Sequence, residues 1–238
     1  MTAPEPLVLL PGTLCDERVF APMLARLAPR QIIVPALVGA ESAPEMAAKL
    51  LAALPPRFAL AGFSLGGIVA LEMVAQQAQR ISRLALIDTT ARPDPEPNWT
   101  LRRNAVSRAR QVGIDRYVTA KLWSFYVTDD MAADERLRTL IAAMSLSVGL
   151  EAFRQQSEIA IRRADSRTRL PKIAVPTLVL CGAEERLCSV ELHCEMAGLI
   201  PGATLAIIPA AGHFALVEQP DAVAAHVRHW LNSSKDPL

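Results

Sequence analysis

No apolar run in this 238-residue chain approaches the roughly 18 residues that a membrane-spanning helix needs. Net charge is also nearly absent: 25 Lys and Arg against 24 Asp and Glu give +1. That balance carries no footprint for nucleic acid or for an anionic membrane surface. The opening residues, MTAPEPLVLLPG, place no basic segment ahead of their short apolar run and include Glu5. A secretory signal is therefore not expected, and a cytoplasmic protein is the default reading. The four cysteines, Cys15, Cys181, Cys188 and Cys194, contain no C-x-x-C pair. The last three lie near His193, but six and then five residues separate them, spacings that do not pinch a tetrahedral metal site. Neither a metal nor an organic cofactor is expected, and in a reducing compartment these thiols stay unpaired. There is no internal repeat and no low-complexity tract.

What is present is the rhythm of an α/β protein. A chain of this length fits one large domain that buries roughly 70–75% of its unfolded-state surface. Short apolar runs occur at 7–10 (LVLL), 32–34 (IIV), 58–61 (FALA), 84–87 (LALI), 177–181 (TLVLC) and 204–208 (TLAII). They lack polar alternation, as expected of parallel strands covered on both faces. Helical patterns lie between them: Met46, Leu50 and Leu54 at four-residue steps, residues 65–79, and Val223, Val227 and Trp230 after Pro220. A mostly parallel central sheet flanked by helices follows.

The alternation stops between Ile87 and Thr177. Residues 91–98, ARPDPEPN, read as an extended proline-rich linker, followed by about 70 residues of helical pattern. Residues 1–90 and 171–238 are therefore assigned to a core and 91–170 to a helical cap over one end of the sheet. From Arg92 to Lys172 there are 15 basic against 10 acidic residues, net +5, while the rest carries −4. The plain reading is solvated helix faces; the sharper one is attraction of an anionic or carrier-bound substrate.

The densest chemical signal is FALAGFSLGGIVALE, residues 58–72, which holds Gly62-Phe-Ser64-Leu-Gly66. G-x-S-x-G alone arises by chance in roughly one chain in ten of this length, given average Gly and Ser usage. Here it follows an apolar strand and opens a helix, the setting of a nucleophile elbow. So sharp a reversal forces the serine into unfavourable backbone geometry, and glycines beside it supply clearance. A serine hydroxyl needs a neighbouring base. His226 and His229 sit beside the apolar stripe of the last helix and His193 lies in a helical pattern, all three expected at the surface. His213 instead follows the final strand, in IIPAAGHFALVEQP, at the sheet end where open α/β folds bind ligands. A carboxylate must orient that base, and Glu184 and Glu185 follow the preceding strand. Two donors are needed for a tetrahedral oxyanion: the Leu65 N–H, and the N–H of Thr13 or Leu14 in the loop after the first strand.

These motifs, from LVLLPG through GFSLGG and LVLCGAEERLCS to IPAAGHFALVEQP, resemble the α/β-hydrolase superfamily over nearly the whole chain. More narrowly they are similar to its small capped esterases and carbon–carbon-bond hydrolases. The resemblance implies Ser64, His213 and Glu185 as catalytic residues, Leu65 and Thr13 as oxyanion donors, and Asp88 and Glu184 as alternative acids. Asp88 enters because some members take their acid one strand earlier. The chain departs from the pattern in having Pro11-Gly12 where the family usually has His-Gly, Glu where its acid is typically Asp, and VGAESAP where a G-x-G-x-S loop is common. The implied activity is hydrolysis of a small-molecule carboxylic ester; a monomer or simple dimer is the base-rate expectation, which no motif carries. Alternatives are carbon–carbon hydrolysis, enol-lactone opening, or methyl-ester hydrolysis on an acyl-carrier protein. GFSLGG is similar to the elbow of the biotin-pathway esterases, and Arg102, Arg103, Arg162 and Arg163 would then face a carrier. A non-catalytic binding protein of this fold is the reading outside enzymes; such relatives usually lack the Ser or the His, and both are present.

Overall fold

The computed structural model describes residues 5–28 and 30–233. Six parallel strands form one sheet in the order β2-β1-β3-β4-β5-β6. They are β1 (Leu7–Leu10), β2 (Ile32–Ile33), β3 (Phe58–Phe63), β4 (Ile81–Ile87), β5 (Thr177–Gly182) and β6 (Thr204–Ile208). The chain has an α/β-hydrolase fold. The four inner strands are buried almost throughout, as their unbroken apolar runs require. At the edge, β6 departs from that expectation: Thr204 and Ile207 are exposed on this last strand of the sheet.

Two apolar layers lie on opposite faces of the sheet. One packs the helices α2 (Ala43–Ala53), α3 (Leu65–Gln77) and α8 (Val190–Leu199) against Val8, Leu60, Leu86 and Val179. The other packs α1 (Ala21–Leu24), α9 (Ala215–Glu218) and α10 (Pro220–Asn232) against Leu9, Phe63, Ile87 and Leu180. Ser42 caps α2 by accepting from the Glu45 N–H, with Pro44 in the first turn, where its missing donor costs nothing.

Between β4 and β5 lie α4 (Glu96–Val112), α5 (Ile114–Tyr117), a π-helical turn (Val118–Leu122), α6 (Trp123–Tyr126) and α7 (Glu135–Ile161). The proline-rich linker is shorter than its composition suggests: α4 starts at Glu96, with Pro97 accommodated in the first turn. Side chains of this insertion, among them Val106, Val118, Tyr126 and Ile141, join the same apolar layer as Leu9 and Phe63. Among the described residues, no helix is long and apolar enough to cross a membrane.

The order of strands reverses around β1, which pairs with β2 on one side and β3 on the other. Loops leaving β1 and β3 therefore diverge across one crevice at the carboxyl edge of the sheet. Residues 11–16, 64 and 88, together with the loops after β5 and β6, all emerge at that edge.

Candidate active site

Ser64 links β3 directly to α3, with φ 51° and ψ −116°. A side chain in that region is strained by roughly 1–3 kcal/mol. Its surroundings hold it there. The Ser64 N–H donates to Ile87 O at 2.9 Å, and its carbonyl accepts from the Gly67 N–H at 2.9 Å and from Thr89 Oγ1 at 2.7 Å. The adjacent glycines are steric requirements: a Cβ on Gly62 would meet Gly66 O at 2.4 Å, and one on Gly66 would meet Leu10 O at 2.1 Å.

From this elbow, Ser64 Oγ lies 3.0 Å from His213 Nε2. On the other side of the ring, His213 Nδ1 lies 2.5 Å from Glu185 Oε2. The imidazole is held by aromatic neighbours: Tyr126 stacks on it with centroids 6.0 Å apart, Phe63 lies at 5.3 Å, and Phe214 meets it edge-on at 5.9 Å. Glu185 is buried, and its second oxygen accepts from the Leu187 N–H at 2.6 Å. Burial alone would push this carboxyl up. The charge of His213, its hydrogen bond, and the Leu187 and Cys188 N–H groups outweigh that and hold it below the ordinary carboxylate value.

The rival acids are placed differently. Glu184 is exposed. Asp88 is fully buried at φ 45°, with Oδ1 accepting from the Gly182 N–H at 2.9 Å. Among the described residues, nothing partners its Oδ2. Burial, and next the Glu185 charge, push Asp88 well above the ordinary carboxylate value.

Two loops supply the candidate oxyanion donors. Leu65 is the first residue of α3, so its N–H has no acceptor within the helix and carries the positive end of the helix dipole. In the loop after β1, a Cβ on Gly12 would fall 3.2 Å from Ser64 Cβ, so this loop lies directly against the elbow. Of the two candidate donors there, the Leu14 N–H is taken by Gln156 Oε1 at 2.9 Å. No acceptor among the described residues takes the Thr13 N–H.

His193 corrects the expectation of a surface position. It is buried in α8, Nδ1–H donating to Ser189 O at 3.0 Å and Nε2 accepting from the Thr89 N–H at 3.0 Å. A backbone N–H can only donate, so the ring is the neutral Nδ1-protonated tautomer, and burial lowers its pKa in the same sense. It thereby steadies Thr89, which holds the Ser64 carbonyl. His226 and His229 are exposed. The four arginines considered for a carrier are tied to acids: Arg102 and Arg163 to the buried Asp94 at 2.8 and 2.9 Å, Arg103 and Arg162 to Glu158 at 2.9 and 3.2 Å.

Three residues that the sequence analysis does not single out bear on the site. Tyr126 stacks on His213, and its carbonyl accepts the Phe214 N–H at 3.1 Å. Glu218 accepts from the Thr128 and Gly212 N–H groups, both at 2.9 Å, and joins the insertion to the loop bearing His213. Gln156 is the third. A cavity of about 520 Å³ lies beside it, lined by Pro11, Cys15, Leu37 and Val148 among others, and its lining includes neither Ser64 nor His213. The four cysteines are free, and among the described residues no cluster of His, Cys, Asp or Glu is arranged to hold a metal.

The family model described as Alpha/beta hydrolase family matches residues 7–226. The chain belongs to that family. It is 31% identical to the pimeloyl-[acyl-carrier protein] methyl ester esterase of Xanthomonas oryzae pv. oryzae, covering 95% of each chain. A thermophilic esterase from Thermogutta terrifontis superposes with TM-score 0.88 at 28% identity, covering 97% of this chain and 90% of that one. The enol-lactonase from Burkholderia xenovorans LB400 shares the fold, with TM-score 0.86 at 24% identity over 98% and 93% of the two chains.

Proposed function

We propose that this hydrolase cleaves carboxylic esters through Ser64, His213 and Glu185. The observation that carries the reading is the unbroken chain of contacts from Ser64 Oγ through the imidazole to Glu185, at 3.0 and 2.5 Å. In the first half-reaction His213 Nε2 takes the Ser64 proton as Oγ attacks the ester carbonyl. The carbonyl oxygen becomes an oxyanion facing the Leu65 and Thr13 N–H groups. Collapse expels the alkoxide, which leaves as the alcohol with the proton from His213, and an acyl-Ser64 ester remains. Water, deprotonated by His213, attacks that ester, and the acid departs as Oγ recovers its proton. Glu185 fixes the Nδ1-protonated tautomer throughout and stabilises the imidazolium.

The insertion of residues 91–170 serves as the lid in this reading, since Tyr126 lies on the catalytic imidazole. Substrates are small-molecule esters. A carrier-bound methyl ester is a second reading, supported by the Xanthomonas relative. It draws no support from Arg102, Arg103, Arg162 and Arg163, whose charges are already met by Asp94 and Glu158. Hydrolysis of p-nitrophenyl acetate by the protein and by Ser64→Ala tests the proposal. Turnover should disappear in the variant, together with covalent labelling by a fluorophosphonate. Undiminished turnover would eliminate the mechanism.

A further inference from the structure

Gln156 lies on α7, 142 residues from Leu14, and is 1% exposed. Its Oε1 accepts from the Leu14 N–H at 2.9 Å, and its Nε2 donates to Leu37 O at 3.2 Å. A single amide of the insertion thus bridges the loop after β1 and the loop after β2, using both of its polar ends. Leu14 itself has φ 59° in a turn closed by the Cys15 N–H donating to Gly12 O at 3.1 Å. Leu14 is the third residue of that turn, where a positive φ marks type II rather than type I geometry. A leucine resists positive φ, and left to itself the Thr13–Leu14 peptide would rotate toward type I. Its N–H would then lose the buried acceptor that now fixes it.

We propose that Gln156 is a positioning residue for the oxyanion site: by holding the Leu14 N–H it locks the Gly12–Cys15 turn and with it the position of Thr13, whose own N–H has no acceptor among the described residues. The inference rests on the serine-hydrolase reading above and extends it to the insertion, which sets one of the two oxyanion donors as well as covering the site. The tolerance is small. Gly12 already stands so close that a Cβ would meet the Phe63 ring at 2.8 Å and Ser64 Cβ at 3.2 Å. A donor displaced by a fraction of an ångström no longer fits a developing oxyanion.

The test is Gln156→Met, which keeps length and volume but offers Leu14 no comparable acceptor. Two substrates are compared, p-nitrophenyl acetate and its thiono analogue, whose developing sulfur anion accepts hydrogen bonds weakly. Rates are expressed per active site counted by fluorophosphonate labelling to completion. The expected result is a kcat on the oxo ester lowered about 10- to 100-fold with KM within about twofold. The oxo-to-thiono rate ratio should fall in parallel, a change that mere loss of folded protein does not produce. A kcat per labelled site within about twofold of the parent, or equal losses on both esters, overturns the proposal. If Gln156→Met gives no folded protein, Gln156→Asn, one methylene short of Leu14, is read by the same criteria. Undiminished turnover in Ser64→Ala is a separate outcome, which removes the serine-hydrolase reading and this inference with it.

Discussion

Glu185 and Asp88 lie close enough for the charge of one to raise the pKa of the other, yet only Glu185 reaches His213. One carboxyl is held below the ordinary carboxylate value by the imidazole and backbone donors, while burial holds the other above it. Their environments assign them different work.

Substitution separates those roles. Glu185→Gln keeps the shape but cannot fix the same imidazole tautomer or stabilise the imidazolium, so kcat for p-nitrophenyl acetate should fall by roughly 10³-fold or more. Asp88→Asn retains the Oδ1 acceptor for Gly182 and suits φ 45°, since Asn tolerates that region. Its kcat should stay within about fivefold of the parent. Equal losses from the two variants would reject Glu185 as the acid.

The strain at Ser64 predicts a stability change opposite in sign to the activity change. Ser64→Gly removes the hydroxyl and abolishes turnover, but glycine accepts φ 51°, ψ −116° without penalty. The glycine also adds unfolded-state freedom, which offsets part of the gain. A net stabilisation of about 1 kcal/mol is expected by urea denaturation. A loss of stability would mean that the elbow is not strained.

Much of this arrangement is legible in the sequence because its causes are local. The reversal at Ser64 demands glycines within two residues, and the place of His213 after the last strand follows from the alternation of elements. His193 was within reach too: with Met196, three residues on, it shares the buried face of α8. The same holds for Gln156, set between Phe153 and Ala160 on the buried face of α7. In both helices a polar residue on an apolar stripe is the signal. What no local pattern carries is the partner. Leu14 meets Gln156, and Thr128 meets Glu218, only once the insertion has folded against the sheet.

Asp88 also predicts a dependence of stability on pH. Its carboxyl is raised in the folded protein, so what it contributes to stability is fully present below its unfolded value near 3.8 and is lost as pH rises toward the folded value. Over that window the unfolded chain ionises and the folded chain does not. Asp88→Asn removes the asymmetry and should gain on the parent by up to about 1.4 kcal/mol per pH unit above that point. Urea denaturation of both proteins at pH 5 and pH 8 reads the difference. A constant gap between the two would show that Asp88 ionises alike in both states.

Glu218 gives the last prediction, because both of its oxygens face backbone donors. Gly212 and Thr128 each give it an N–H at 2.9 Å, and burial otherwise pushes the carboxyl up. Glu218→Gln has one acceptor oxygen for two donors, so its NH2 must confront one of them. Leaving that backbone N–H unsatisfied should cost about 1–3 kcal/mol. The two donors also decide where the activity goes. Gly212 immediately precedes His213, and Thr128 lies two residues beyond Tyr126, so the substitution loosens both sides of the imidazole's setting. A kcat lowered about tenfold or more, at nearly constant KM, is the expected accompaniment. A variant destabilised but unchanged in kcat per labelled site would confine Glu218 to structural support.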